Sequence, residues 1–298
     1  MTPRGSKLRD ASRRMDARVA SFIRIGVERA NERERGCDSD ALYREIRRAI
    51  STPFVGHAIA ESLNAAPDLD ARRIALRDSI YRDLGIFDAV SIHLKDLSAV
   101  IRLDDHLVGV DKFGHFLVQG WKYFELAYLE GHGIEAALKW GERSERTYFG
   151  LYTTGIYSYA DLAANFDGMR FWLRLLAQDT DPLETGTFFN RPIVTCGKRF
   201  WTRAPYWRVN RKVRVSRYVN GAWDEGSNCS RYRNPEIGAL IGDRVAERGA
   251  EDSTSYACPI TPQSCVRAQQ RYGPYADRLL HPLCAGAEAV PRSCWKFW

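Results

Sequence analysis

Along residues 157–177 a predicted helix carries its polar side chains in two separate groups, and that separation constrains the fold more than any other feature of the chain. Asp167, Arg170 and Arg174 gather on one side of the helical wheel and are expected to mark the solvated face. Ser158, Asp161, Asn165 and Gly168 fall on the other side, beside Leu162 and Trp172, so a carboxylate and an amide point inward. A buried carboxylate without a partner costs several kcal/mol or neutralises itself. The natural partner is a second polar stripe. A predicted helix over 111–130 supplies one, with Asp111, His115, Gln119 and Lys122 set apart from Phe113, Phe116, Leu117, Trp121, Phe124 and Tyr128. The two stripes are expected to face each other, with Gly168 allowing close backbone approach.

The remaining organisation reads as mainly α (α+β). Residues 8–97 show helical spacing, with breaks at Gly36-Cys37-Asp38, Ser51-Thr52-Pro53 and Ala66-Pro67, and Asp38, Ser39 or Asp40 as helix cap. Residues 99–110 predict a small hairpin around Asp104-Asp105. Helices follow over 111–130, 134–149 and 157–177. Residues 207–219 alternate, with Trp207, Val209, Val213, Val215 and Val219 against Arg208, Asn210, Lys212, Arg214 and Ser216, which predicts a basic strand ended by an Asn220-Gly221 turn. An irregular proline- and cysteine-rich tail is expected after it. The chain thus divides into an N-terminal helical layer (1–98), core helices (99–180) and a C-terminal β/coil region packed on them (181–298).

Composition narrows the setting. Of 298 residues 45% are hydrophobic and 12% aromatic, enough for a sizeable core, and the net charge of +7 favours anionic partners such as a membrane surface or another envelope component. No uninterrupted apolar run is long enough to span a bilayer, and arginines at 13, 14, 18 and 24 interrupt any signal-peptide core. Six of the seven cysteines (Cys196, Cys229, Cys258, Cys265, Cys284, Cys294) crowd the last third without a CxxC pair, which argues for disulfides over a zinc ribbon. Disulfides imply an oxidising, periplasmic or other extracytoplasmic compartment, the start then being a processed terminus or lacking its leader. The odd thiol left over is expected to be Cys37 or an interchain cysteine. Zinc-finger spacing, an RNP-like strand and a glycine-rich phosphate loop are all missing from the sequence, so no nucleic-acid partner is expected.

Two chemistries suit the paired stripes. Asp111, His115, Asp161 and a third acid on the intervening helix, Glu145 or Glu142, offer mixed oxygen and nitrogen donors for a divalent metal, with Ser158 and Asn165 orienting them. Alternatively His115 is a general acid or base held by Asp111 or Asp161, with Lys112 or Lys122 stabilising a developing anion such as a phosphate. The same residue types also build structural networks, and the sequence leaves that choice open. Asp104, Asp105 and His106 read as ordinary turn chemistry, and Trp223–Asn228, which could add acidic groups to a cleft, reads first as a loop that satisfies its own backbone.

At these residues the chain resembles the VanZ-like and YfiM-like families of bacterial cell-envelope proteins. The shared pattern is Asp-Lys-x-x-His, an acid, then Ser-x-x-Asp-x-x-x-Asn-x-x-Gly, here Asp111, Lys112 and His115, then Glu145, then Ser158, Asp161, Asn165 and Gly168. VanZ-like proteins are integral to the membrane and linked to glycopeptide tolerance, whereas this sequence has no spanning segment. The resemblance implies an envelope setting and one site built from the matched positions. The expectation is a metal-assisted hydrolase or transferase on a lipid-linked or phosphate-bearing substrate. The alternative is a non-catalytic lipid- or partner-binding protein in which the same residues form a buried network.

Overall fold

The computed structural model describes residues 7–33, 36–50, 63, 66–148, 150–183 and 190–285. The fold is mainly helical with three small sheets, as the residue pattern predicts. Helix α1 (Ser12–Arg33) buries Met15, Val19, Ile23, Val27 and Ala30, one stripe at helical spacing, against α2 (Ser39–Ile50). Asp38 starts α2 by accepting the Ala41 N–H at 2.9 Å. The predicted break at Ser51-Thr52-Pro53 lies outside the described residues.

Among the described residues the helical reading of 8–97 holds through α2 and at Leu63, and fails from Ala66 onward. From Ala66 to Ser98 the described chain is irregular, with one short helix at Val90–Leu94 and a strand β1 (Ala71–Arg72). That strand extends the predicted hairpin, β2 (Val100–Leu103) and β3 (His106–Gly109), which pairs Ile101 with Val108. Helix α3 (residues 111–129) alternates α and π turns, the π stretches falling at His115–Gln119 and Glu125–Leu129. Then come α4 (Ile134–Arg146), β4 (Ile156–Ser158) and α5 (Tyr159–Leu176).

Helix α5 is buried on every side and forms the axis of the molecule, which corrects the solvated face expected for Asp167, Arg170 and Arg174. Asp167 and Arg170 are fully buried and pair at 2.7 Å, and Arg170 Nε donates to both Asp181 oxygens at 3.0 and 3.1 Å. The second Asp167 oxygen accepts from Tyr272 Oη (2.7 Å), Trp223 Nε1 (3.0 Å) and Asn220 Nδ2 (3.1 Å). Charge on this face is paired rather than wet.

The C-terminal region also departs from expectation. Strand β6 (Pro205–Val209) pairs antiparallel with β5 (Val194–Lys198), and the register stops at Val194↔Val209, where β5 begins. Residues 210–219 therefore have no strand partner and turn into a 3-10 segment at Val215–Arg217, although Val213, Val215 and Val219 are still buried. Beyond β7 (Ser230–Tyr232), which pairs with β4, the expected irregular tail is instead helical in α6 (Pro235–Glu251) and α7 (Pro262–Tyr272). Pro235 and Pro262 occupy the first turn of each, where the missing N–H costs nothing.

Disulfides join Cys37–Cys196, Cys229–Cys258 and Cys265–Cys284. Cys37 is thus bonded, not the leftover thiol expected of it, and Cys294 lies outside the described residues. One hydrophobic core draws on all three predicted regions, and a separate cluster gathers Ile80, Leu84, Ala89, Ile237 and Ile241.

Candidate metal and acid–base site

Two strand-to-helix junctions deliver the polar residues. Asp111 opens α3 directly after β3, and Ser98 Oγ accepts its N–H at 2.9 Å. Ser158 closes β4 and caps α5, accepting the Asp161 N–H at 3.2 Å, so Asp161 sits in the first turn at the positive end of the helix dipole. The two helices cross backbone to backbone at Gly120 and Gly168. A Cβ added at Gly168 would lie 2.0 Å from the Phe116 carbonyl oxygen and 2.9 Å from Gly120 Cα. Gly168→Ala is expected to push α3 from α5 and lower unfolding stability by about 1–3 kcal/mol in urea titrations. An unchanged midpoint would show that the crossing has slack.

Lys112, 2% exposed, is the hub of the site. Its Nζ donates to Asp111 Oδ2 (2.8 Å) and Glu225 Oε1 (2.6 Å). It also lies 2.6 Å from Asp161 Oδ1, an ion pair off the direction a hydrogen bond needs. Burial draws the ammonium toward neutrality, but Asp111, Asp161 and Glu225 outweigh it and hold Lys112 charged well above its ordinary pKa. Burial likewise opposes ionisation of Asp111, yet Lys112 and the hydrogen bonds around it bring that carboxyl down to about 2.

His115 joins the two stripes. Its Nε2 is 3.2 Å from Asp161 Oδ2 and its Nδ1 is 3.2 Å from Asn165 Oδ1, while Asn165 Nδ2 donates to Gln119 Oε1 at 3.1 Å. Turned over, the Asn165 amide nitrogen donates to His115 Nδ1 at 3.2 Å and to the carbonyls of His115 and Asp161. The two orientations select different tautomers. With nitrogen on Nδ1, the ring proton sits on Nε2 and points at Asp161. With oxygen there, Nε2 keeps its lone pair for a cation.

Donor atoms of Asp111, His115 and Asp161 all lie within 4.8 Å of one another, a spacing that suits one metal ion. Glu145, expected among the ligands, stands outside this group. It is completely buried, its Oε2 accepts the Ser158 N–H at 3.4 Å, and its Oε1 has no hydrogen-bond partner among the described residues. Burial first, then the nearby Asp161, raise the Glu145 carboxyl well above its ordinary 4.5.

The sign of the resulting pH effect follows directly. The unfolded chain ionises Glu145 first as pH rises past the ordinary value, so this residue's contribution to stability is full below it and declines toward neutral pH. Glu145→Gln, isosteric with the protonated acid, is expected to match the wild type near pH 4 and to exceed it at pH 7 in chelator-treated urea unfolding. Identical pH profiles would mean that Glu145 ionises normally.

Other expectations fall differently. Lys122 turns away and pairs with Glu125 (2.7 Å) and Glu130 (3.3 Å), and Glu142 pairs with Arg278. Asp104 and Asp105 form the β2–β3 turn. Glu225 is the site residue that the sequence reading ranked too low, as an acid that could join a cleft but sat in a loop read mainly as self-satisfying. Its loop does satisfy itself, Asp224 Oδ1 accepting the Gly226 N–H at 2.9 Å, but Glu225 reaches Lys112 and also accepts from Ser158 Oγ at 3.4 Å. The available signal was the Asp224-Glu225 pair directly after Trp223.

The cluster lines one part of a cleft of about 1830 Å³, whose lining also includes the apolar Ile80, Ile92, Ile241 and Val245 and the charged Arg72, Arg73, Lys95 and Asp96. No protein-family model, curated protein or solved structure matches this chain.

Proposed function

We propose that this protein is an extracytoplasmic, metal-assisted hydrolase or transferase acting on a lipid-linked or phosphate-bearing substrate. The observation that carries the reading is the convergence of Asp111, His115 and Asp161 on the cleft wall. Formal charge supports it: Asp111, Asp161 and Glu225 surround the single ammonium of Lys112, leaving surplus negative charge that a divalent cation would neutralise. An anionic head group meets this wall favourably only with that cation in place.

In this reading Asp111, His115 Nε2 and Asp161 hold the ion, which supplies Lewis acidity and lowers the pKa of water. Asn165 with its amide oxygen toward Nδ1 would leave Nε2 as the ligand atom, Lys112 steadies the two carboxylates, and Glu145, whose carboxyl burial raises well above its ordinary value, is the candidate proton donor. Three disulfides, together with the resemblance to envelope proteins, support the compartment. No described helix is long and apolar enough to cross a membrane, which agrees with peripheral contact with an anionic envelope surface.

Elemental analysis of protein prepared without chelator tests the reading. Stoichiometric metal is expected in the wild type and none in a folded Asp111→Ala, His115→Ala double variant. Equal, negligible metal in both would sink it.

One observation favours a second reading. Lys112 already bridges three carboxylates without any ion, so the same residues also make a closed network that ties α3 and α5 to the 223–228 loop. A binding protein with this network would lose several degrees of melting temperature on His115→Ala, whereas removal of a catalytic residue tends to leave stability intact or raise it.

A further inference from the structure

The cleft is far larger than the polar cluster needs. Sites for drug-sized molecules run to about 300–1,000 Å³, against the 1830 Å³ found here. It separates the main core from the small cluster of Ile80, Leu84, Ala89, Ile237 and Ile241, two apolar groups that would gain by merging. What keeps them apart is built into the chain. Helix α6 turns its smallest residues toward the gap, with Gly238, Gly242, Ala246, Gly249 and Ala250 all on the cleft wall. A Cβ added at Gly242 would meet nothing within 4 Å.

The outer side of the same helix is tied to the 78–83 segment by Arg82–Glu247 at 2.7 Å and by Arg244–Asp83. The Cys229–Cys258 bond brackets the helix at both ends, and both cysteines line the cleft. The gap is thus held open along one wall and carries a buried acid at its polar end. That acid, Glu145, is completely buried, lines the cleft and has an oxygen without a partner among the described residues.

We infer that the cleft is a binding site for a single long-chain amphiphile, its alkyl chain lying along the glycine- and alanine-lined face of α6 and its polar head at the Asp111–His115–Asp161 cluster. This rests on the proposed function for the role of the head group, but the apolar arm stands on its own geometry. An alkyl chain fills space that α6 leaves empty and covers Ile80, Ile92 and Val245, which the fold leaves lining the gap. Because Gly242 and Ala246 are exposed small residues, the chain can enter from the side rather than thread through the core.

Calorimetric titration of the intact, oxidised protein with two homologous series separates the ends of the site. The series are n-alkyl phosphates and n-alkanols of eight to fourteen carbons, each below its micelle concentration. Affinity is expected to rise by about fourfold per methylene in both series. Gly242→Phe, at a position on the cleft wall where an added Cβ meets nothing within 4 Å, is expected to flatten the rise while leaving metal content unchanged. Ala246→Phe serves the same purpose should the first variant not fold.

A slope near unity in both series overturns the inference, and so does a slope that neither substitution alters. Phosphate binding that depends on added metal, with no dependence on chain length, would overturn the amphiphile while leaving the metal reading intact. A chain-length slope in the alkanols from protein that elemental analysis finds unable to hold metal would support the amphiphile while the metal reading failed.

Discussion

Arg170→Ala is expected to cost about 3–5 kcal/mol and lower the melting temperature by about 5–8 °C. Arg170 is fully buried between Asp167 and Asp181, and its removal takes from two buried carboxylates the guanidinium they share, leaving Arg271 3.7 Å from Asp167 Oδ1. Asp167 keeps three donors on its other oxygen, from Tyr272, Trp223 and Asn220, which hold it in place and prevent it from escaping to solvent. Adding Asp167→Asn and Asp181→Asn should return part of the stability, because the triple variant buries no unpaired charge. Scanning calorimetry across these variants decides the matter. A shift in Arg170→Ala of only a degree or two would mean that water reaches the network.

The second large effect is expected at Lys112. Lys112→Met keeps the length and apolar stem of the side chain but removes the ammonium that Asp111, Asp161 and Glu225 share. Asp111 and Glu225 have side chains 37% and 39% exposed, so screening reduces the penalty below that of a sealed cluster, to about 2–4 kcal/mol at neutral pH. Without the ammonium the Asp111 carboxyl no longer stays near 2, and its pKa climbs toward or past the ordinary value. Protonation then relieves the repulsion, so the deficit should shrink as pH falls from 7 toward 4. A divalent cation should relieve it as well. Urea midpoints of the variant with chelator and with added manganese test both statements. A deficit that neither acid nor metal reduces would point to lost packing at Lys112 instead of charge.

The polar site was legible because its residues announce themselves by spacing. Asp111 and His115 share a helix face, as do Ser158, Asp161 and Asn165, and the need of inward polar groups for partners brings the two faces together. The assumption of 100° per residue failed further along α3. Its π turns take an extra residue each, so Lys122 drops out of line with Asp111 and meets Glu125 and Glu130 instead.

Asp167, Arg170 and Arg174 were misplaced for a different reason. A cluster of charges on one helix face looks the same whether water or buried partners satisfy it, and the partners Asp181, Asn220 and Tyr272 become neighbours only through the fold. Prolines misled in the tail, where Pro235 and Pro262 begin helices that a reading of proline as a breaker denies. Glu225 needed the third dimension, since nothing local ties the 223–228 loop to residue 112.

The Cys37–Cys196 bond has a temporal meaning as well as a spatial one. It joins cysteines 159 residues apart, and Asn31 on α1 reinforces the same junction by bonding the Trp207 backbone through both ends of its amide. Helices α1 and α2 precede β5 and β6 in the chain, so this one of their junctions cannot close until both strands have been synthesised.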